Sequence, residues 1–283
     1  MQATNHTRTV VRHTNGIINT LYLRMKKDII IKPIPLWESI LLFGIPGLAL
    51  YLGTYYAIPL FQRMGLPDIF LFPFFMWLPI IPLLPISIIL YNREKRNQAD
   101  LTLKTRFRLN RITKTDWIWI ICGVLFVMLF DFVIMNPISK WMATITIFSP
   151  PDHFPIIFNP LKEIKLPLTE FLGVSLKGNW IFLIITIILH STAMLAEEFM
   201  WRGYVLPRQE KTHGKSAWLV NGLLWGYLVH FGMKWNFISF LPSMLITPFI
   251  AQKTKNTWVS LLIHGIPNTI LWILILTGIL GIG

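Results

Sequence analysis

The adjacent glutamates at positions 197 and 198 constrain this chain more than any other feature. They end a long uncharged apolar run that begins near Trp180, and Arg202 follows four residues after Glu198. An α-helix has ~3.6 residues per turn, so we expect Glu198 and Arg202 to share a face, pair and hold the helix end. Glu197 then points about 100° away and is free to react. A carboxylate this deep in an apolar segment costs roughly 2.5 to 3.5 kcal/mol or more, which indicates a functional site.

The composition predicts a polytopic membrane protein. Of the 283 residues, 54% are hydrophobic and only 14% are charged, which is too apolar for a soluble domain of this length. The net charge of +13 would suit a nucleic-acid partner, but the basic residues lie between the apolar runs, where they face anionic headgroups and fix topology. No nucleic-acid partner is therefore expected. The single cysteine, Cys122, excludes a disulfide framework and is expected to be a packing residue.

Charged segments divide the chain into about seven apolar spans. Whether residues 141–160 form an eighth span stays open. The predicted spans lie within residues 38–63, 68–93, 117–135, 180–200, 215–234, 234–253 and 255–283. Repeated prolines are expected to kink the second span. The fold class is therefore an all-α transmembrane helix bundle of about seven to eight spans, with the active site among the last four.

The distribution of Lys and Arg predicts the topology. By the positive-inside rule, the cytoplasmic segments are the N-terminus and residues 93–114, 202–215 and 251–256. The chain is expected to have three parts, which are a basic cytoplasmic segment (1–35), N-terminal transmembrane helices with loops (36–178) and a catalytic helix bundle (179–283). The expected location is the plasma membrane of a prokaryote, and the expected partners are the lipid bilayer and a membrane-bound or lipidated protein or peptide.

Three ionisable residues on different predicted helices reach a similar depth. Measured along its own helix at ~1.5 Å per residue, Glu197 lies ~16 Å from Arg208, His230 ~22 Å from Lys215 and His264 ~14 Å from Lys255. Polar side chains are rare within spans and normally face a bundle interior or a wet cavity. The three side chains are therefore expected to converge on one site.

Four further polar or helix-breaking residues lie in these spans. Asn268 follows His264 at i,i+4, so both project from one helical face, and Pro267 between them predicts a kink or an exposed carbonyl. His190 is interpreted as a polar packing residue or one that supports the site. Asp131, near the end of the third span, is expected to be an interfacial carboxylate rather than a buried functional acid.

Two motifs resemble those of a known protease family. Residues 197–202, Glu-Glu-Phe-Met-Trp-Arg, resemble the EExxxR signature of the CAAX protease and bacteriocin-processing (CPBP, or Abi) intramembrane proteases, and residues 264–268, His-Gly-Ile-Pro-Asn, are similar to their closing HxxxN motif. His230 lies where the histidine of the middle FxxxH motif is expected, although Gly226 replaces its aromatic residue. The resemblance covers roughly residues 180–275 and implies an intramembrane endopeptidase, of the type that includes prenyl-protein endopeptidases.

The chemistry of peptide hydrolysis agrees with this resemblance. A base must activate water, and hydrogen-bond donors must stabilise the tetrahedral oxyanion. Glu197, hydrogen-bonded through His230, is the expected base, as the resemblance also implies. His264 and the Asn268 amide are the expected oxyanion donors.

Two alternatives remain open from the sequence. A divalent metal such as zinc could be held by Glu197, His230 and His264, because two histidines and a glutamate form a chemically suitable triad. HExxH is absent, however, and we favour glutamate-activated water without zinc. The same polar cluster could also belong to a catalytically silent immunity or assembly factor of this family, or to an ion- or proton-coupled transporter.

Overall fold

Almost all regular structure in residues 30–282, which the computed structural model describes, is helical. This confirms the all-α class. The predicted cytoplasmic segment 1–35 lies outside the described residues except for its last six, which are extended. One hairpin of two short antiparallel strands, β1 (Glu170–Phe171) and β2 (Val174–Ser175), precedes the C-terminal helices.

Twelve α-helices follow one another in the described chain. They are α1 (Leu36–Leu52), α2 (Ile58–Arg63), α3 (Asp68–Trp77), α4 (Leu83–Arg96), α5 (Leu103–Arg106), α6 (Lys114–Val127), α7 (Asn136–Ala143), α8 (Trp180–Glu197), α9 (Leu206–His213), α10 (Ala217–Leu228), α11 (Leu241–Thr254) and α12 (Thr257–Leu280). Wider π-helical turns continue α1 over Gly53–Ala57, α6 over Met128–Ile134 and α8 over Glu198–Val205. Single 3₁₀ turns lie at Thr146–Phe148, Ile156–Phe158, Gly214–Ser216, Val229–Gly232 and Lys234–Asn236.

Four helical stretches of the described chain are long and apolar enough to cross a membrane. They are Leu36–Arg63, Lys114–Ile134, Trp180–Gly232 and Thr257–Leu280. The third stretch has 53 residues and contains both the fourth and the fifth predicted spans. Its second half folds back on the first, because the Asn221 amide on α10 donates to the carbonyl of Trp201 and to Gln209.

The predicted count of seven to eight spans is not supported. The second predicted span is broken between α3 and α4 by a turn over residues 78–82, where Pro79 and Pro82 cannot donate backbone hydrogen bonds. The sixth is reduced to α11, whose 14 residues span only ~21 Å at the usual helical rise. Residues 141–160 contain the end of α7 and short turns, so they form no spanning helix.

The segments predicted to be cytoplasmic meet at one end of the bundle, here called the basic end (residues 30–35, 93–113, 206–216 and 251–257). The Ile34 backbone exchanges hydrogen bonds with the Thr212 hydroxyl. Arg108 forms a bidentate ion pair with Glu210, 2.7 Å for each bond, and Lys255 reaches the same carboxylate at 2.6 Å. The Lys and Arg distribution predicted that these segments lie on the same side, and the described segments do meet at one end of the fold.

Helix α10 lies at the centre of the bundle, and two glycines let its neighbours approach closely. A Cβ at Gly47 of α1 would lie 2.0 Å from the Leu228 carbonyl oxygen. A Cβ at Gly222 of α10 would lie 2.5 Å from the Met244 carbonyl oxygen on α11. Any side chain at either position would force the helices apart.

The outer surface of the bundle is apolar, as a membrane protein requires. Large aliphatic side chains are exposed along the spanning stretches, among them Leu48, Ile118, Leu125, Ile184 and Ile188. Cys122 is also exposed on this surface, so the expectation that it packs in the core is wrong. The outward faces of these helices can be covered only by lipid or by another chain.

Candidate active site

The α8 helix widens into a π-helix at Glu198, immediately after the first glutamate. A π-helix shifts the hydrogen-bond ladder and is found most often at functional sites. Other segments satisfy carbonyl groups of this turn, since the Asn221 amide donates to Trp201, and the Arg106 guanidinium donates to Gly203 and Tyr204. These contacts stabilise the widened turn that carries Glu198 and Arg202.

Trp225 of α10 contacts two of the three charged residues of the glutamate motif. Its indole Nε1 donates to Oε2 of Glu197 across 3.0 Å. The Arg202 guanidinium carbon lies 3.8 Å from the centroid of the same ring, which is a cation–π geometry. Trp225 therefore orients Glu197 with the edge of its ring and stabilises the Arg202 cation with the face of its ring.

Glu198 has two cationic or polar partners. Its Oε1 lies 3.6 Å from Nη1 of Arg202 and 3.1 Å from Nδ1 of His264. Both Glu198 and Arg202 are essentially fully buried, and none of the Arg202 side-chain nitrogens forms a hydrogen bond within the described residues. The Glu198–Arg202 proximity expected from the i,i+4 spacing is present, but the hydrogen bond of Glu198 goes to His264.

This contact fixes the chemistry of His264. A carboxylate accepts, so Nδ1 of His264 carries the proton that it donates to Glu198. Its other ring nitrogen, Nε2, can act as a donor only when the ring is doubly protonated, and the Glu198 carboxylate compensates the charge of that form. The His264 ring also packs edge-on against Trp225, with centroids 4.9 Å apart.

His230 is held by the backbone of the helix that carries it. Its Nδ1 lies 3.1 Å from the Trp225 carbonyl oxygen, which can only accept, so the proton resides on Nδ1. In the neutral ring, Nε2 is then an acceptor. His230 itself departs from helical backbone geometry, with φ −90° and ψ 17°, in the 3₁₀ turn that follows α10, and the centroid of its ring lies 5.5 Å from that of Trp225.

Asn268 uses part of its amide to bind its own helix. Its Nδ2 donates to the His264 carbonyl oxygen at 2.8 Å, which leaves the second amide hydrogen free for another acceptor. Helix α12 continues through Pro267 without interruption. Because Pro267 has no N–H, the Ile263 carbonyl lacks its usual helical donor.

A cavity of about 670 Å³ joins these residues. Its lining includes Trp225, His230, His264 and Asn268, together with aliphatic and aromatic side chains from α6, α11 and α12. Glu197 is partly buried and does not line the cavity, but it is one hydrogen bond from Trp225, which does. The site is thus a mixed polar and apolar cleft with a carboxylate behind one wall, a composition suited to an amphipathic ligand.

The two remaining polar residues of the sequence argument differ in their placement. His190 stacks on Trp77 and accepts a hydrogen bond from the Trp272 indole, which agrees with a packing role. Asp131, expected at the membrane interface, instead lines the cavity, and its Oδ1 is buried without a hydrogen-bond partner in the described chain. The interfacial interpretation of Asp131 is therefore wrong, because α6 continues as a π-helix that turns this side chain inward.

The arrangement does not fit the zinc triad considered from the sequence. Within residues 30–282, no three His, Cys, Asp or Glu side chains come close enough together to hold a metal ion. Glu197, one of the three ligands of that triad, binds the Trp225 indole and does not line the cavity that His230 and His264 line.

Two contributors to the site were missed from the sequence. Trp225, the residue before Gly226, has no role in the sequence prediction, because a tryptophan in a membrane span usually serves packing. Arg106 was treated as part of a charged cytoplasmic loop, yet it is fully buried and binds the carbonyls that follow the glutamate motif. Its position between Glu94 and the motif depends on tertiary contacts that no local pattern encodes.

The fold and the site define a polytopic integral membrane protein with paired glutamates, two histidines and an asparagine gathered from three helices. The comparison with protein families is more specific. Residues 178–270 match the family described as type II CAAX prenyl endopeptidase Rce1-like, in agreement with the CAAX protease (CPBP) motifs that the sequence resembles. At the family level, the domain is that of a membrane-embedded protease. No curated protein matches the chain, and no solved structure matches it.

Proposed function

We propose that this protein is an intramembrane endopeptidase in which Glu197 activates water for attack on a peptide bond of a membrane-associated substrate. The observation that carries the proposal is the cluster around Trp225. One indole ring contacts Glu197 and Arg202 of the first motif, His230 of the middle one and His264 of the closing one, and it forms a wall of the 670 Å³ cavity. Neither structural packing nor a single ion pair requires such a convergence of titratable groups.

The attacking water lies between Glu197 and the cavity, within reach of the Glu197 oxygen that Trp225 does not bind. Glu197 takes one proton from the water as the hydroxide oxygen bonds to the substrate carbonyl carbon. His230 presents Nε2 as an acceptor, because its Nδ1 proton is engaged by the Trp225 carbonyl. That acceptor orients the second water hydrogen and so aims the oxygen lone pair.

The carbonyl oxygen becomes negative as the water adds. The doubly protonated His264 ring, whose charge Glu198 compensates, donates from Nε2, and Asn268 donates its free amide hydrogen. Glu197 then gives its proton to the leaving nitrogen, the C–N bond breaks, and a carboxylate and an amine are released. Glu198 therefore has a second role, which is to orient and charge-balance the oxyanion donor as well as to pair with Arg202.

The substrate class follows from the family description and the cavity. The cavity combines a polar floor with aliphatic walls, and prenylated CAAX peptides are amphipathic ligands of this kind. An unmodified membrane peptide with an apolar flank would fit the same cavity. The test must therefore include both a prenylated and an unmodified peptide.

The experiment compares wild-type protein with Glu197→Gln. Purified proteins in detergent receive one fluorogenic peptide with an S-farnesyl cysteine and one without it, and membranes from expressing cells are compared for new protein N-termini. Glu197→Gln should abolish cleavage while leaving the fold and substrate binding intact, because an amide cannot take the proton from water. Glu170→Gln, an exposed carboxylate on β1, is the matched control and should cleave normally. Full activity in well-folded Glu197→Gln protein would reject this mechanism.

A further inference from the structure

The cavity extends from the level of His264, ~10 Å along α12 from Thr257, toward the end of the molecule that is remote from the basic end. Most of its lining residues lie away from the Lys- and Arg-rich loops. Examples are Val127 and Asp131 of the α6 stretch, which begins at Lys114, and Ile270, Leu271 and Leu274 of α12. Residues of the basic-end loops do not line it.

Connecting segments form the opposite rim, here called the mouth (residues 136–140, 156–164 and 233–239). They carry Asn136, Lys140 and Lys162, of which both lysines are exposed. Because α6 with its π-helical continuation has 21 residues, the loops at its two ends are separated by ~30 Å. The mouth and the basic end therefore belong to opposite faces of the molecule.

The basic end is closed by packed side chains. Arg106 and Phe107 are fully buried beneath the glutamate motif. The Thr257 hydroxyl donates to the Phe107 carbonyl at 2.6 Å, and the Thr257 amide donates to the Arg108 carbonyl. These contacts join the loop before α6 to the start of α12 and close the space between these two segments.

The charge distribution orients these two faces in a membrane. Of the Lys and Arg residues in the described loops, fourteen lie at or beside the basic end and six lie at the other end. Those six are Arg63, Lys140, Lys162, Lys165, Lys177 and Lys234. An excess of Lys and Arg marks the cytoplasmic face, so the mouth faces the opposite compartment.

We propose that the substrate reaches the site from the non-cytoplasmic face of the membrane. The substrate class is then an exported peptide, or a membrane protein segment that is exposed on that face. The identity of the ligand as a substrate rests on the proposed function, whereas the access route rests on the cavity, the closed basic end and the charges.

The access route is tested without catalysis by cysteine labelling in a Cys122→Ser background. Ile270→Cys places a thiol on the cavity wall two residues from Asn268, and Lys211→Cys places one at the exposed basic end. A membrane-impermeant maleimide should label Ile270→Cys in spheroplasts and fail to label it in sealed inverted vesicles. Lys211→Cys should give the reverse pattern. Labelling of Ile270→Cys from the inverted side alone would overturn the proposal, and Asn136→Cys at the mouth provides the same readout if Ile270→Cys does not fold.

A second experiment uses activity and separates the two proposals. A membrane-impermeant peptide that the purified protein cleaves in detergent is added to spheroplasts and to sealed inverted vesicles. We expect cleavage by spheroplasts and loss of cleavage in inverted vesicles, with recovery when detergent opens them. Cleavage by inverted vesicles alone would overturn the access route while keeping the protease. If no peptide is cleaved in detergent, the proposed function fails, and the labelling pattern still decides the route.

Discussion

The indole nitrogen of Trp225 donates a 3.0 Å hydrogen bond to Oε2 of Glu197. The same ring lies 3.8 Å below the Arg202 guanidinium carbon. One side chain therefore determines where the proposed base points and where the neighbouring buried cation is held. Because Trp225 also lines the cavity, it connects the carboxylate to the space where a ligand binds.

Trp225→Phe should separate these two roles. Phenylalanine keeps an aromatic face for Arg202 but removes the N–H that binds Glu197. A hydrogen bond to a charged group contributes about 1.5 to 3 kcal/mol, so kcat should fall roughly 10- to 100-fold, with little change in KM or Tm. Peptide cleavage and thermal unfolding in detergent measure these quantities.

Trp218→Phe is the matched control on the same helix. Trp218 packs against Phe249, 5.4 Å between ring centroids, and does not line the cavity. Its replacement should leave kcat unchanged. Equal losses of kcat in the two variants would mean that the effect of Trp225→Phe is structural.

Glu198 and His264 should be energetically coupled. Glu198→Gln keeps a hydrogen-bond acceptor for Nδ1 of His264 but removes the charge that compensates the imidazolium, so kcat should fall even in folded protein. Arg202→Gln should mainly lower Tm, since a buried pair that loses one partner is destabilised by about 3 to 5 kcal/mol. A double-mutant cycle with His264→Gln measures the coupling, and strictly additive losses in kcat would show that Glu198 and His264 act independently.

Asn268→Ala should leave measurable activity. It removes one proposed oxyanion donor, which typically costs 10²- to 10³-fold in kcat, but it leaves the base and His264 in place. Thr269→Ala is a neighbouring control, because the Thr269 hydroxyl only bonds the Ile266 carbonyl of its own helix. A loss as complete as that of Glu197→Gln would place Asn268 in a role beyond oxyanion stabilisation.

The sequence predicted the residues of the site better than their contacts. Depth and spacing brought His230 and His264 to one cavity because helical rise and periodicity are local properties. The π-helical turn after Glu197 was not predictable, since it depends on Asn221 and Arg106 donating to its carbonyls from distant segments. The inward turn of Asp131 was missed because the wider turn that carries it has no local sequence signature.

The short helices were missed for a related reason. A hydropathy pattern records apolar length but not whether neighbouring segments satisfy a broken backbone, so the proline-rich turn at residues 78–82 was expected to be a kink within one span. The apolar run before Lys253 was likewise expected to be a full span, although much of it forms turns at the mouth and only α11 is a continuous helix. Its length could be known only from the fold.

A tight zinc chelator should leave cleavage unchanged. The expectation rests on the geometry of the described site, in which Glu197, His230 and His264 do not come close enough together to share a metal ion. Activity is measured before and after chelation, and total bound metal is measured on the same sample. Activity that is lost with the chelator and restored by added zinc would keep the protease and show that the ligands rearrange around a metal.

The carboxyl of Glu94 at the basic end should make the thermal stability of the protein depend on pH in the acid range. Burial alone would raise the pKa of its carboxyl, but the hydrogen bonds and charge of Arg106, with the hydrogen bond from Tyr204, hold that pKa below its usual value of 4.5. A depressed folded-state pKa contributes stability above pH 4.5 that is lost as pH falls through the lower value. The difference in Tm between wild type and Glu94→Gln should therefore be largest near neutral pH and shrink below 4.5, whereas Glu170→Gln should match wild type throughout. A wild-type to Glu94→Gln difference that stays constant across this range would mean that the Glu94 charge does not stabilise the loop that holds the glutamate motif.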